Sequence, residues 1–243
     1  MSVIKPITIP ATVPELNPPL KLGLQSNFDK SSGIATTTTK HQAVALRSRS
    51  DFSIFYQCNF APYQDTLYIH HLRQFYRECD VYGTIDFVFG NAAVVFQRSN
   101  FYVSQPNPEQ KNIFIALGKD DPNQNTGISI LECKITTGSV LIANKSMFKS
   151  YLGRPWKLYS RNMIIRSYII YLIDPAGYLE WDGDFALDTL DYGEYMNRGP
   201  RSNTSGGVTW SGYRVITNLT EASLFTAVNF IQGREWPDDV GIL

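Results

Sequence analysis

Two aspartates of this chain occupy the same frame of an internal repeat, and that shared position gives them chemical meaning. The segment Phe55-Tyr56-Gln57-Cys58-Asn59-Phe60 is echoed by Phe75-Tyr76-Arg77-Glu78-Cys79-Asp80-Val81, and more weakly by Val95-Phe96-Gln97-Arg98-Ser99-Asn100-Phe101. Cys58 and Cys79 are 21 residues apart, and Cys79 and Ser99 are 20 apart. Asp65 follows Cys58 by seven residues, and Asp86 follows Cys79 by seven. If each copy is one coil of a stacked structure, the two carboxylates lie one above the other, about 5 Å apart at the parallel-strand spacing. Two carboxylates that close cannot both ionise freely, so one pKa rises. The raised group suits general acid work and the ionised one suits nucleophilic attack.

Further polar residues fall into the same frame. Gln42 precedes Gln64 by 22 residues, again about one coil, so Gln42, Gln64 with Asp65, and Asp86 form a ladder over three successive coils. Glutamine amides donate to an oxyanion without adding charge. The segment Tyr151-Leu152-Gly153-Arg154-Pro155-Trp156-Lys157 offers an arginine to hold a carboxylate ionised through paired hydrogen bonds, and a tryptophan face for a sugar ring. Taken singly, each residue has a plainer reading. An Asp beside Thr or Gly in a turn usually bonds its own backbone, and His70 and His71 read as structural. The shared register of Asp65 and Asp86 is what separates them from that background.

The elements that must position these residues are short strands. Runs such as Ser53-Ile54-Phe55-Tyr56, Ala93-Val94-Val95-Phe96, Ile113-Phe114-Ile115-Ala116 and Ile128-Ser129-Ile130-Leu131 are strand-length and rich in β-branched or aromatic residues. Strands recurring near every 21 residues predict an all-β parallel β-helix, in which each coil buries its inner face only against its neighbours. Longer gaps, such as Ser99 to Cys133, are expected to be coils with loops inserted on one side. An antiparallel sandwich would need hairpin turns, and no Asn-Gly or Asp-Gly pair stands in that setting before residue 180. Residues 1–38, rich in Pro, Ser and Thr, read as a loosely structured segment or an atypical cap, and 39–243 as the solenoid domain. Thr220 to Phe225 opens an expected capped amphipathic helix, with Leu224, Phe225, Val228 and Ile231 on one face, covering the end of the solenoid or packing along its side.

Bulk properties narrow the partners. Twenty-two basic and 22 acidic residues give zero net charge among 243 residues, which argues against a nucleic-acid partner. No apolar run approaches a membrane span, and residues 1–19 show no apolar core of a signal peptide. The three cysteines (Cys58, Cys79, Cys133) include no C-x-x-C pair and the three histidines lack ligand spacing, so no metal site is expected. Cys58 and Cys79 can be read as a disulfide between adjacent coils or as two reduced core thiols.

The segments Tyr63-Gln64-Asp65-Thr66-Leu67-Tyr68, Gly83-Thr84-Ile85-Asp86-Phe87-Val88-Phe89-Gly90 and Tyr151-Leu152-Gly153-Arg154-Pro155-Trp156, with His41 to Arg47, closely resemble the signatures of plant pectinesterases. The resemblance runs from about His41 to the C-terminus. It implies a right-handed parallel β-helix and hydrolysis of methyl esters on homogalacturonan (pectin), with release of methanol. It further implies Asp86 as nucleophile, Asp65 as acid and then base, Gln42 and Gln64 at the oxyanion, and Arg154 holding Asp86. Gln42, Arg154, Trp156, Phe89 and Ile85 would contact substrate. No cofactor is implied; a secreted cell-wall monomer, and a proteinaceous inhibitor as partner, are. Residues 1–40 do not resemble the family's N-terminal coils with their Gly-x-Tyr-x-Glu motif, and Leu117-Gly118-Lys119 stands where the family often has Gln-Gly-Arg. The competing expectations are a truncated, non-catalytic β-helix that binds pectin or is unstable, and a retaining glycosidase. Inversion would need carboxylates about 6.5–9.5 Å apart, more than adjacent stacking gives.

Overall fold

The computed structural model describes residues 2–4, 8–10, 42, 44–61, 63–137 and 148–236. Of the expected N-terminal segment 1–38, all but two three-residue strands lies outside the described residues. Those strands are β1 (Ser2–Ile4) and β2 (Thr8–Pro10). Triplets of strands follow: β3 (Leu46–Ser48), β4 (Ser53–Tyr56) and β5 (Asn59–Ala61); β6 (Leu67–Ile69), β7 (Arg73–Arg77) and β8 (Asp80–Gly83); β9 (Val88–Gly90), β10 (Ala93–Gln97) and β11 (Asn100–Val103). Then come β12 (Asn112–Leu117), β13 (Gly127–Leu131) and β14 (Lys134–Thr137); β15 (Ser150–Pro155), β16 (Arg161–Ile165) and β17 (Tyr168–Ile169); and finally β18 (Asp191–Tyr195) and β19 (Tyr213–Val215).

Each triplet is one coil, and its strands fall in turn into three sheets. The first sheet runs β1-β4-β7-β10-β13-β16-β18-β19, the second β2-β5-β8-β11-β14-β17, and the third β3-β6-β9-β12-β15. Every strand pairing among the described residues is parallel, as between β7 and β10. The molecule is a right-handed parallel β-helix, the parallel coils as the repeat predicted and the hand as the resemblance implied. No helix among the described residues is long and apolar enough to cross a membrane.

The sequence repeat is the coil register. Phe55 pairs with Tyr76 and Tyr76 with Phe96. Their rings stack inside the solenoid, 4.4 Å and 4.6 Å between centroids. In each coil from β4 onward, the corner from the first sheet to the second is turned by one residue at positive φ: Gln57, Glu78, Arg98, Glu132, Arg166 and Met196. The residue after it enters a spine of side-chain acceptors. Cys79 N–H donates to Ser99 Oγ at 3.1 Å, Ser99 N–H to Cys133 Sγ at 3.4 Å, Cys133 N–H to Ser167 Oγ at 3.0 Å, and Ser167 N–H to Asn197 Oδ1 at 3.0 Å. Cys58, Cys79 and Cys133 are buried free thiols, and burial pushes the Cys133 thiol up to about 12. They act here as small apolar fillers and weak acceptors.

The C-terminal segment differs from the single helix expected. It forms two short helices, α1 (Leu219–Ser223) and α2 (Ala227–Phe230). The cap of α1 is Asn218, whose side chain accepts from the Glu221 N–H at 2.8 Å. Thr226 is extended and begins α2, so the two apolar faces do not align, and Leu224 is left 55% exposed. The segment packs along the side: Ser129 Oγ in β13 donates to the Phe225 carbonyl at 2.7 Å. Ile54, Phe75, Val95 and Met163, on the outer face of the first sheet, form a second core with Phe225, Phe230, Ile231 and Trp236.

Phe96 is fully buried in the aromatic stack, so Phe96→Ala should destabilise the protein by about 3–5 kcal/mol. Urea unfolding followed by circular dichroism measures this; a loss under about 1 kcal/mol would show that the stack is not holding the coils.

Candidate active site

The two acids sit at the corner between the second and third sheets, and each turns its own corner. Asp65 has φ 57° and Asp86 has φ 47°, a left-handed conformation that Asp tolerates better than most residues. The Asp65 N–H donates to the Ile85 carbonyl of the next coil at 3.1 Å. Two buried threonines staple the corners: Thr66 Oγ1 donates to the Tyr82 carbonyl at 2.7 Å, and Thr84 Oγ1 to the Tyr63 carbonyl at 3.1 Å. Leu67 pairs with Val88, which places Asp65 and Asp86 at one register on adjacent coils, about 5 Å apart along the axis. One coil earlier, Gln42 bridges to Gln64 in parallel.

Arg154 comes from farther along the solenoid. It pairs with Ala116 in β12, which pairs with Phe89 in β9. The short side chain of Ala116 leaves room for the guanidinium to reach back two strands. Arg154 Nε donates to Asp86 Oδ1 at 3.0 Å and Nη2 to Oδ2 at 2.5 Å, a bidentate pair. The indole of Trp181 covers the other side of that guanidinium, 4.3 Å from Cζ to the ring centroid.

Burial raises the pKa of both acids, but their neighbours separate them. For Asp86, the hydrogen bonds and charge of Arg154 pull against burial. Asp65 is raised to about 7, first by burial and then by the charge of Asp86. Arg154 and hydrogen bonds from Gln42 and Gln64 oppose this only in part. Arg154 therefore favours the ionised form of Asp86, while burial and the charge of Asp86 favour the protonated form of Asp65.

All the residues singled out in the sequence meet here. Gln42, Gln64, Asp65, Ile85, Asp86, Phe89, Arg154 and Trp156 line one cleft of about 960 Å³. The sequence reading missed two stretches of the lining, Glu109 to Lys111 and Leu179 to Gly183, the latter with Trp181. A tryptophan set among Glu180, Asp182 and Gly183 was the available signal, since such flanks mark a surface turn. Lys119, at the position where the resemblance departs, is 3% exposed, and burial pushes its ammonium pKa down.

A pectinesterase family model matches residues 29–234. The chain belongs to the pectinesterase family. A probable pectinesterase/pectinesterase inhibitor of Arabidopsis thaliana is 57% identical over 203 residues, 84% of this chain and 35% of that protein. Pectinesterase 2 of Citrus sinensis is 56% identical over 196 residues, 81% of this chain and 38% of that one. The chain thus spans under two fifths of the length of those two curated relatives. Among solved structures, the pectin methylesterase from carrot is 53% identical with a TM-score of 0.81, covering 82% of this chain and 63% of that one. That from Aspergillus niger is 29% identical with a TM-score of 0.68, covering 81% and 59%.

A carboxyl group that keeps its proton to about pH 7 when folded, and to about 3.9 when unfolded, ties stability to pH. Its stabilising share is complete below about pH 4, falls as pH rises toward 7, and levels off above. Asp65→Asn removes that loss. Its melting temperature relative to wild type should therefore rise by about 2–4 °C between pH 4 and pH 7.5, a modest figure because the open cleft screens the charge. A difference that stays constant over that range in calorimetry would show that Asp65 is an ordinary carboxylate.

Proposed function

We propose that this chain hydrolyses the methyl esters of homogalacturonan, releasing methanol and leaving free galacturonate carboxylates. The observation that carries this reading is the division of labour between the stacked acids, one clamped by Arg154 and the other holding a proton to about pH 7. In the first step an Asp86 oxygen attacks the ester carbonyl carbon, and the carbonyl electrons move onto its oxygen. Each glutamine amide nitrogen carries two N–H groups, so Gln42 or Gln64 can keep one on Asp65 and turn the other to that oxyanion. Collapse expels methoxide, which takes the Asp65 proton and leaves as methanol. The product is an anhydride between Asp86 and the sugar acid.

The now ionised Asp65 takes a proton from water, whose oxygen attacks the sugar-side carbonyl. Cleavage of the anhydride returns Asp86 as a carboxylate and Asp65 as an acid. Arg154 steadies Asp86 through both steps, and Phe89, Trp156 and Ile85 supply the apolar side of the cleft against which a sugar ring and its methyl ester can lie. The likeness to the pectin methylesterases of carrot and Aspergillus niger supports this choice of ester.

Asp86→Asn keeps the shape and loses the nucleophile, so methanol release from methylated pectin should fall by about 10⁴-fold or more. Folding is checked by circular dichroism on the same sample. Folded wild-type protein that releases no methanol, or that shortens the polymer instead, would overturn the esterase reading.

A further inference from the structure

A second concavity lies away from the acids, at the corner where the third sheet passes to the first. The connections along that corner differ in length: residues 70–72 join β6 to β7, residues 91–92 join β9 to β10, and residues 118–126 join β12 to β13. The short middle connection is recessed between its longer neighbours, and a pocket of about 380 Å³ opens there. Asn91 and Ala93 belong to the middle coil, His71 and Leu72 to the coil before, and Gln124 to Thr126 to the coil after. Five residues of extended chain separate Asn91 from Asp86, so the pocket stands about 16 Å from the acids.

The polar groups of this pocket are set for hydroxyls rather than for charge. Thr126 Oγ1 donates to Asn91 Oδ1 at 2.6 Å, and Asn91 Nδ2 donates to Gln124 Oε1 at 2.8 Å, which fixes both amides. Asn125 Oδ1 accepts from Arg161 Nη1 at 3.4 Å. The amide N–H groups of Gln124 and Asn125 are left to donate elsewhere, and the exposed His71 ring adds a further polar edge. Arg73, which also lines the pocket, donates through Nε and Nη2 to Asp51 at 3.0 Å and 2.6 Å and through Nη1 to Gln232, so its charge is already met.

One side of the pocket is apolar. Leu72 has φ 68°, a conformation unfavourable for leucine, and is 51% exposed. Phe52, at the same corner one coil earlier, also has positive φ but is covered: it lies under the Arg73 guanidinium at 4.1 Å and against Trp236 at 5.4 Å. Leu72 is instead held out in solvent beside the amides. An apolar patch next to fixed amide donors and acceptors suits a ring with one C–H face and a rim of hydroxyls.

We propose that this pocket is a second carbohydrate site, taking an uncharged sugar unit that branches from the polymer whose ester lies at the acids. The hydroxyls of that unit meet Asn91, Gln124 and Asn125, and its C–H face meets Leu72 and Ala93. The proposal adds a site to the esterase reading and rests on that reading only for the identity of the polymer. Two weak contacts on one chain reinforce each other through effective concentration, so the pocket retains the protein on branched stretches.

The probes are two neutral disaccharides that differ at the C4 hydroxyls, cellobiose and galactobiose, titrated separately into the whole protein and followed by amide NMR. With one of them, resonances of Leu72, Asn91, Gln124 and Asn125 should move together, with a Kd of about 1–10 mM. Leu72→Asp keeps the corner, since Asp accepts positive φ better than Leu, and removes the apolar face. Its Kd should rise about tenfold. Gln124→Ala, on an exposed loop, should weaken binding about threefold. In methanol release, Leu72→Asp should raise KM on pectin with neutral branches about threefold or more, and should cut an unbranched methylated galacturonate hexamer at the wild-type rate. Resonances unmoved by either sugar, shifts confined to the acids' cleft, folded variants that bind like wild type, or an unchanged KM on branched pectin overturn the proposal. If wild type releases no methanol from either substrate, the esterase reading fails by itself and the NMR titrations alone decide the pocket.

Discussion

Coil-to-coil hydrogen bonding in strict parallel register is the constraint from which the rest of this molecule follows. It is satisfied one strand spacing at a time, so whatever occupies a given register in one coil lies directly over its counterpart in the next. Inside the solenoid this produces the Phe55, Tyr76 and Phe96 stack. At one corner it produces the spine of Ser, Cys and Asn acceptors. At another it stacks Asp65 and Asp86. A slip of one residue would turn core side chains outward and part the acids in the same stroke, so fold and site are specified together.

The same stacking that assembles the acids also sets them against each other. Repulsion and burial both favour a neutral carboxyl, and an uncompensated pair would share one proton without distinction. Arg154 breaks that symmetry because its fork meets Asp86, while Asp65 receives only neutral amides. The asymmetry depends on Ala116, since a larger side chain between Phe89 and Arg154 would stand where the guanidinium crosses.

Much of this was legible in the sequence because the early coils carry no inserted loops. There the spatial repeat equals the chain repeat, and Cys58, Cys79 and Ser99 mark it openly. The acids, the two glutamines and Arg154 could be placed from the same frame and from the resemblance it led to. Three things were not legible. The residues at positive φ between the first and second sheets are Gln, Glu, Arg and Met rather than Gly or Asn, so those corners carry no compositional mark. The outer face of the first sheet reads as buried strand, as it is, but nothing local says that Phe225, Phe230 and Trp236 cover it. A break at Thr226 is invisible to helical periodicity, which sees only the spacing of apolar residues.

From β4 onward the corner from the first sheet to the second takes two residues, from 57–58 through 78–79, 98–99, 132–133 and 166–167 to 196–197. The other corners vary freely. The loop at 104–111 and the segment 170–190 both leave the edge that also bears the acids, and from them come two stretches of the cleft's lining. One edge of the prism therefore acts as a fixed binding, like the spine of a book, while its pages differ in width along the opposite side. Changes of chain length that would wreck the spine become, on the free edge, a means of reshaping what the acids face. The scaffold thus permits variation in substrate contacts without disturbing the chemistry.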